Sequence, residues 1–179
     1  RVVATLRVLG MEDAQFVVSI ESGEQFTSLG VDEVAFLFTA NRTTRPGAVE
    51  RIASGGELAR IMLSLKNEIN QCDGIDTVVF DEIDTGVSGS AAMKIGKLLK
   101  DTSNGKQVLC VTHSAQIAAF ADNHLFIQKN VKDDSTYTSV KQLSNEERER
   151  EIARIISGDN ISETALMNAR EMIALAKNS

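Results

Sequence analysis

Residues 77–82 form an apolar run that ends abruptly in the carboxylates of Asp81 and Glu82. A short apolar run of this kind is typical of a parallel strand that is covered on both faces. In open α/β sheets, ligands bind at the carboxyl ends of such strands. Paired carboxylates at that edge can hold a metal ion and activate a water molecule. Other residues of a site would have to converge on the same edge of the sheet.

The sequence after this strand alternates between helix and strand patterns. A helix with an apolar face at residues 92–99 precedes a second buried strand at 108–112, and a helix at 115–121 precedes a third strand at 125–127. This alternation predicts parallel pairing with right-handed crossovers. The expected fold class is α/β, with a mostly parallel sheet flanked by helices.

The segment before residue 50 has the pattern of an antiparallel β portion near the N-terminus. Apolar and polar residues alternate over 16–21, Gly23 offers a turn, and a second strand is expected at 34–39. Residues 41–47 are polar and contain the only proline, which predicts an exposed loop.

A helix is expected to begin at Ser54, because Ser54 and Glu57 have the spacing of a capping box. Two consecutive glycines, Gly55 and Gly56, add nothing to a helix start and are favoured where another group approaches the backbone closely. A helix N-terminus can bind phosphate, although an ordinary capped helix explains the same residues. The apolar face of this helix is expected to contain Leu58, Ile61, Met62, Leu65 and Ile69.

The final third of the chain predicts a hairpin and two helices. A turn at residues 132–135 leads into a strand at 137–143, and Ser144 and Glu147 form a second capping box. The apolar stripes of the two helices that follow indicate core packing.

Composition excludes several classes of protein. A chain of 179 residues suffices for one well-buried domain, and a net charge of -6 argues against a free-standing nucleic-acid binder. The only cysteines, Cys72 and Cys110, are expected to be core thiols, and the only histidines, His113 and His124, argue against a zinc site. Because the sequence shows neither a membrane span nor a signal peptide, we expect a cytoplasmic protein.

Four motifs occur in a characteristic order: Ala-Ser-Gly-Gly-Glu at 53–57, Val-Val-Phe-Asp-Glu at 78–82, Asp-Thr-Gly-Val-Ser at 84–88 and Val-Thr-His at 111–113. With them the chain resembles the second half of an ABC-type ATPase head of the SMC-like family. They correspond to the signature motif, Walker B, the D-loop and the switch histidine. The wording of the last two is most similar to bacterial SMC-like proteins of double-strand break repair and recombination.

The resemblance implies a catalytic role for each motif of the hydrolysis site. Asp81 would hold Mg²⁺, and Glu82 would orient and deprotonate the water that attacks the γ-phosphate of ATP. His113 would contact the γ-phosphate and help to position that water.

The resemblance also implies partners. Ser54, Gly55, Gly56 and Glu57, which form the signature motif, would bind the ATP held by a second head, and Asp84 would lie with its loop across the dimer interface. Hydrolysis would then require a homodimer closed over nucleotide. DNA would be engaged by the full-length protein, at the nucleoid.

No Gly-x-x-x-x-Gly-Lys-[Ser/Thr] phosphate loop occurs in the sequence. In the family this loop precedes a long coiled coil, and the signature motif follows it. Residues 1–179 are therefore expected to be the C-terminal half of a head whose N-terminal phosphate-loop lobe is a further partner. Alone, this half is expected to hydrolyse ATP negligibly.

Three alternatives stay open at this point. Ser88 and His113 with an aspartate suggest a serine hydrolase, although residues 86–90 lack the Gly-x-Ser-x-Gly elbow. A non-catalytic dimerisation or interaction module could use an incomplete head. Another SMC-like ATPase is the alternative within the same class.

Overall fold

The structure is a computed structural model, and it describes residues 1–70, 75–81, 83–85, 87, 89–132 and 135–178. The chain forms two compact units, and each is described here by itself. The first unit contains Arg1–Val87 and Gly105–Val111, and the second contains Ser88–Asn104 and Thr112–Ser179.

The described residues of the first unit form α1 (Val2–Val8), β1 (Gln15–Thr27), β2 (Gly30–Thr39), β3 (Gly47–Ala48), α2 (Val49–Ile52), α3 (Gly55–Asn70), β4 (Thr77–Asp81) and β5 (Gln107–Val111). Strands β1, β2 and β3 form an antiparallel sheet, and β4 pairs in parallel with β5. The buried core beside the antiparallel sheet consists of Leu6, Met11, Ala14, Phe38, Val49 and Ile61.

The β1–β2 hairpin is longer than expected, and the prediction of a turn at Gly23 is wrong. The ladder continues past Ser22, whose Oγ donates a hydrogen bond of 2.6 Å to Asp32 Oδ1 on β2. A register irregularity between Ser22 and Thr27 accommodates Gly23 within the strand. The turn falls after Thr27, whose Oγ1 donates to the carbonyl oxygen of Gly30 at 2.7 Å.

Helix α3 begins where the capping box predicts, but its buried side is only partly the predicted one. Ile61, Leu63 and Ser64 are at most 1% exposed. Three residues of the predicted apolar face are exposed to solvent, namely Leu58 (41% exposed), Met62 (45%) and Ile69 (54%). Periodicity locates the apolar residues of a helix, but it does not show which of them this chain covers.

Only one face of the β4–β5 pair is covered by other described residues. The expectation that both faces are covered is therefore wrong for this chain. Phe80 is fully buried, and Lys66 of α3 lies 5.4 Å from the centroid of its ring. On the opposite face, Val79, Leu109 and Val111 are 43–51% exposed. We name these three residues the open face of the parallel pair.

The second unit contains α4 (Gly89–Thr102), α5 (Ala115–Ala118), β6 (Leu125–Lys132), β7 (Ser135–Gln142), α6 (Asn145–Ser157) and α7 (Glu163–Lys177). The predicted hairpin is confirmed, because β6 pairs with β7 in an antiparallel ladder. In this ladder Leu125 is opposite Gln142 at one end and Lys132 is opposite Ser135 at the other. The expected parallel pairing of residues 125–127 is wrong for the same reason. Among the described residues, β4 and β5 are the only parallel pair.

The core of the second unit is made mainly of small residues on α5, α6 and α7. Alanine allows the backbones of packed helices to approach closely. The core consists of Ala115, Ala118, Ala119, Phe120, Ile152, Ala153, Ala165, Ala169 and Ala176. The capping box of Ser144 and Glu147 starts α6 as predicted. None of the helices within the described ranges is long and apolar enough to cross a bilayer.

Candidate ATPase site

The signature residues form the N-terminus of α3. The backbone N–H of Ser54 donates to Glu57 Oε2 at 2.8 Å, and the N–H of Glu57 donates to Ser54 Oγ at 3.4 Å. The Glu57 carboxylate is thus engaged within the chain, where it orients Ser54. Ser54 itself is exposed.

Neither a close contact nor a left-handed backbone requires glycine at position 55. A Cβ added to Gly55 would meet no atom within 4 Å, and the backbone there is not left-handed. A glycine in a helix costs roughly 0.5–1 kcal/mol relative to alanine. The open space over Gly55 and its proximity to the free N–H groups of a helix start suit the approach of a phosphate from outside the chain.

Asp81 is the last residue of β4, and it is exposed on the same face as Val79. It pairs in register with Val111, the last residue of β5. Both strands therefore end at one edge of the parallel pair. Within the described ranges no three His, Cys, Asp or Glu residues cluster closely enough to hold a metal ion by themselves.

Glu82, the predicted general base, lies outside the described residues, as do Gly86, Ser88 and Cys72. The serine hydrolase alternative that uses Ser88 is therefore not tested. In the same loop, Asp84 is described and is 2% exposed.

The Asp84 loop makes a turn in which the Val87 N–H donates to the Asp84 carbonyl oxygen at 2.9 Å. Because the Asp84 side chain is buried within the chain, a contact of this loop with a partner would be made by its backbone and its exposed residue Thr85.

Cys110 confirms that the covered face of the parallel pair is a poor environment for a charge. Burial, together with the negative charges of Asp84 and Asp81, raises the pKa of its thiol to about 12. The thiol is therefore protonated at neutral pH, as expected of a core cysteine.

His113 follows β5 and is exposed. The residues on either side of it are ordered by a local bond, because the Ser114 N–H donates to Thr112 Oγ1 at 3.0 Å. Helix α5 begins directly afterwards, at Ala115. The structure thus places Ser54, Asp81 and Asp84 in the first unit and His113 in the second.

Sequence reasoning missed Arg148, which lies on the buried side of α6. Its Nη2 donates to the carbonyl oxygens of Ala118 and Ala119, at 3.2 and 2.7 Å. A signal was present in the sequence, because Arg148 precedes Ile152 by four residues and so falls on the apolar stripe of its helix.

The chain is similar to curated DNA repair proteins over almost its whole length. It is 41% identical over 175 residues to DNA repair protein RecN of Halalkalibacterium halodurans, a match that covers 96% of the chain and 31% of that protein. It is also 41% identical over 152 residues to RecN of Bacillus subtilis, covering 85% of the chain and 26% of that protein. The chain is a RecN homologue. It spans about a third of the length of the RecN proteins it matches, and no family model matches it.

Solved structures establish the fold of this RecN homologue. An Smc head domain with a coiled coil and joint from Pyrococcus yayanosii superposes with a TM-score of 0.66 and 19% identity, covering 87% of the chain and 28% of that structure. An Smc head bound to the C-winged helix domain of ScpA gives a TM-score of 0.58 and 21% identity, covering 81% of the chain and 41% of that structure. The expected α/β head fold is therefore confirmed.

Proposed function

We propose that this RecN homologue supplies one half of an ATPase head that acts in DNA repair and recombination. The observation that carries the proposal is the exposed carboxylate of Asp81 at the end of β4, in register with the end of the strand that leads to His113. The sequence similarity to RecN supports the same assignment.

The described residues fit a Mg²⁺ ion that is shared with nucleotide. Mg²⁺ is usually held by one or two carboxylates, water and substrate phosphates rather than by a complete protein cage. Asp81 is exposed, and among the residues that the structure describes no metal-binding cluster of three side chains surrounds it, which matches that pattern. When bound, Mg²⁺ supplies neutralisation of the charge that develops on the phosphate oxygens.

Glu82 and His113 are proposed to act on the attacking water and the γ-phosphate. Glu82 follows Asp81 directly in the sequence, and its carboxylate would accept the proton of the water. His113 is exposed on its loop and would donate a hydrogen bond to a γ-phosphate oxygen. Serine hydrolase chemistry gains no support from the described residues.

Ser54, Gly55 and Gly56 are proposed to bind the ATP of a second head. The first N–H groups of a helix have no partners within the helix, the space over Gly55 is open, and the Glu57 carboxylate accepts a hydrogen bond from the Ser54 N–H. Asp84 would contribute its loop to the interface between the two heads. An SMC ATPase whose structure was determined in work on ATP-driven dimerization and DNA-stimulated activation shares the fold, with a TM-score of 0.56 and 18% identity, covering 87% of the chain and 91% of that structure.

The open face of the parallel pair is proposed to pack against the phosphate-loop lobe of the longer protein. Val79, Leu109 and Val111 form an exposed apolar surface on a strand pair of a type that is normally covered on both sides. Because the phosphate loop is not in this sequence, we expect the chain alone to hydrolyse ATP negligibly.

The test is steady-state ATP hydrolysis by the full-length protein with two substitutions. Glu82→Gln removes the base, and Ser54→Arg fills the space beside Gly55. The matched controls are Glu171→Gln, at an exposed carboxylate of α7, and Ser162→Arg, which removes the helix cap that Ser162 provides to Ala165.

We expect both test variants to lose at least about a hundredfold in kcat, the size typical of a lost catalytic group. The two controls should keep the wild-type rate. An inert wild-type protein, or test variants that keep the rate, would contradict the ATPase assignment and favour a non-catalytic dimerisation module.

A further inference from the structure

Arg148 is a buried cation on α6. It is 7% exposed, and the hydrogen bonds that the structure gives its side chain are the two from Nη2 to the carbonyl oxygens of Ala118 and Ala119. Its Nε is buried without a hydrogen-bond partner among the described residues. Arg148 is thus bound to the end of α5 and to little else.

The environment of Arg148 is unfavourable for a charge. Burial lowers the pKa of the guanidinium, and the negative charge of Asp122 opposes this shift only in part. Across the ranges that the structure describes, no ion pair includes Arg148. Burying a cation without a paired carboxylate costs free energy, and this indicates that the two carbonyl contacts have a purpose beyond stability.

The segment that Arg148 contacts is too short to be stable as an isolated helix. Helix α5 has four residues, and Ser114 provides no side-chain cap at its start. Helices of this length are unstable unless tertiary contacts fix them. The bonds from Arg148 reach two carbonyl oxygens at the end of α5, of which that of Ala118 also accepts from the Ala121 N–H at 3.3 Å.

A second contact fixes the same segment from α4. A Cβ added to Gly96 would lie 2.4 Å from Cδ2 of Phe120, so the ring of Phe120 rests directly on the backbone of α4. Phe120 is 7% exposed and belongs to the core of the second unit. The end of α5 is therefore fixed on two sides, by Arg148 and by Gly96.

His113 lies two residues before α5, so its backbone position depends on that of the helix. We infer that Arg148 is a positioning residue for His113, holding α5 so that the histidine is correctly placed for the γ-phosphate. This inference rests on the proposed function of His113. It links the rate of hydrolysis to the packing of α6.

The test is a double-mutant cycle in the full-length protein, with kcat and KM for ATP measured for each variant. The cycle contains Arg148→Met, His113→Ala and the double variant. Arg148→Met keeps an unbranched apolar stem but removes the guanidinium and with it both hydrogen bonds. Arg150→Met is the matched control, because Arg150 lies on the same helix and is exposed.

We expect Arg148→Met to lower kcat about tenfold or more, with KM changed less than about twofold, because small displacements of a positioned group are costly to the chemical step. In the His113→Ala background, Arg148→Met should have no further effect on kcat. Arg150→Met should match the wild type.

A conservative variant keeps the inference testable if Arg148→Met does not fold. Arg148→Lys retains the charge with a different donor geometry, and its smaller loss of kcat should likewise vanish in the His113→Ala background. A normal kcat in both Arg148 variants, or an equal loss with and without His113, would overturn the positioning role alone. A normal kcat in His113→Ala would overturn the proposed role of His113 and the inference with it.

Discussion

The helical core of the second unit and the parallel strand pair of the first differ in how completely they bury their apolar residues. In the second unit, Ile152, Ala153 and Ala169 are 0% exposed, and α5, α6 and α7 enclose them. In the first unit, the parallel pair buries Phe80 on one face while Leu109 on the other is 43% exposed. The helices of the second unit thus enclose a core of their own, although its β6–β7 hairpin leaves apolar side chains exposed, whereas the parallel pair of the first unit leaves one apolar face uncovered.

The largest effect on stability is expected in the closed core. Ile152→Ala should lower the free energy of unfolding of the chain by about 3 kcal/mol, because a fully buried isoleucine leaves a cavity when truncated. The control is Ile156→Ala on the same helix, where the side chain is 40% exposed and the loss should be about 1 kcal/mol. Urea denaturation measures both. Equal losses would show that the core is not closed at Ile152.

A smaller loss of stability is expected where a side chain is added next to the helical core of the second unit. Gly96→Ala should destabilise the chain by about 2 kcal/mol, since its Cβ would overlap the ring of Phe120. Thermal unfolding of this variant beside Gly96→Ser, which makes the same clash, should give similar shifts. A Gly96→Ala variant as stable as the wild type would mean that Phe120 moves freely.

The two faces of the parallel pair should differ in thiol reactivity. In a Cys72→Ser background, the Cys110 thiol of the covered face should react with iodoacetamide at pH 8 at least about tenfold more slowly than a thiol introduced on the open face by Leu109→Cys. Burial and the neighbouring charges of Asp84 and Asp81 raise the pKa of Cys110 from its usual value of 9.0 to about 12, so little thiolate is present at pH 8.

The same pKa shift has a defined effect on stability. Because the folded state binds the Cys110 proton more tightly, the contribution of this group is fully present below pH 9 and is lost as the pH rises towards 12. Equal labelling rates at positions 109 and 110 would contradict the assignment of a covered and an open face.

The smallest effect on stability is expected at Gly55, on the open surface of the first unit. Gly55→Ala should stabilise the chain by about 0.5–1 kcal/mol, because nothing lies within 4 Å of the added Cβ and alanine favours the helix. In the full-length protein the same change should lower ATP turnover at least about tenfold, if phosphate approaches the backbone there. Stabilisation without loss of turnover would remove Gly55 from the proposed site.

Sequence predicted the features that depend on neighbours along the chain. Both capping boxes, at Ser54 and at Ser144, form as the spacing requires, since all their atoms lie within one turn of helix. The hairpin after residue 132 was predicted for the same reason. Asp81 and His113 are predicted as site residues because each stands at the end of an apolar run.

The features that depend on distant partners were not predictable. The pattern of residues 125–127 predicts a strand, but only the pairing with β7 decides that it is antiparallel. Met62 and Val79 are apolar in sequence, and nothing local indicates that this chain leaves them exposed. Arg148 could be seen as a charge on an apolar stripe, but its acceptors lie 29 and 30 residues away.

The division of the chain into units has a consequence for its biogenesis. The chain passes between the units after residues 87, 104 and 111, so the first unit is discontinuous in sequence. Strand β4 cannot pair with β5 until β5 has been synthesised, and β5 follows α4 in the chain. Pairing between strands 30 residues apart slows folding more than a local hairpin does. For the same reason, no single proteolytic cut can release both units intact.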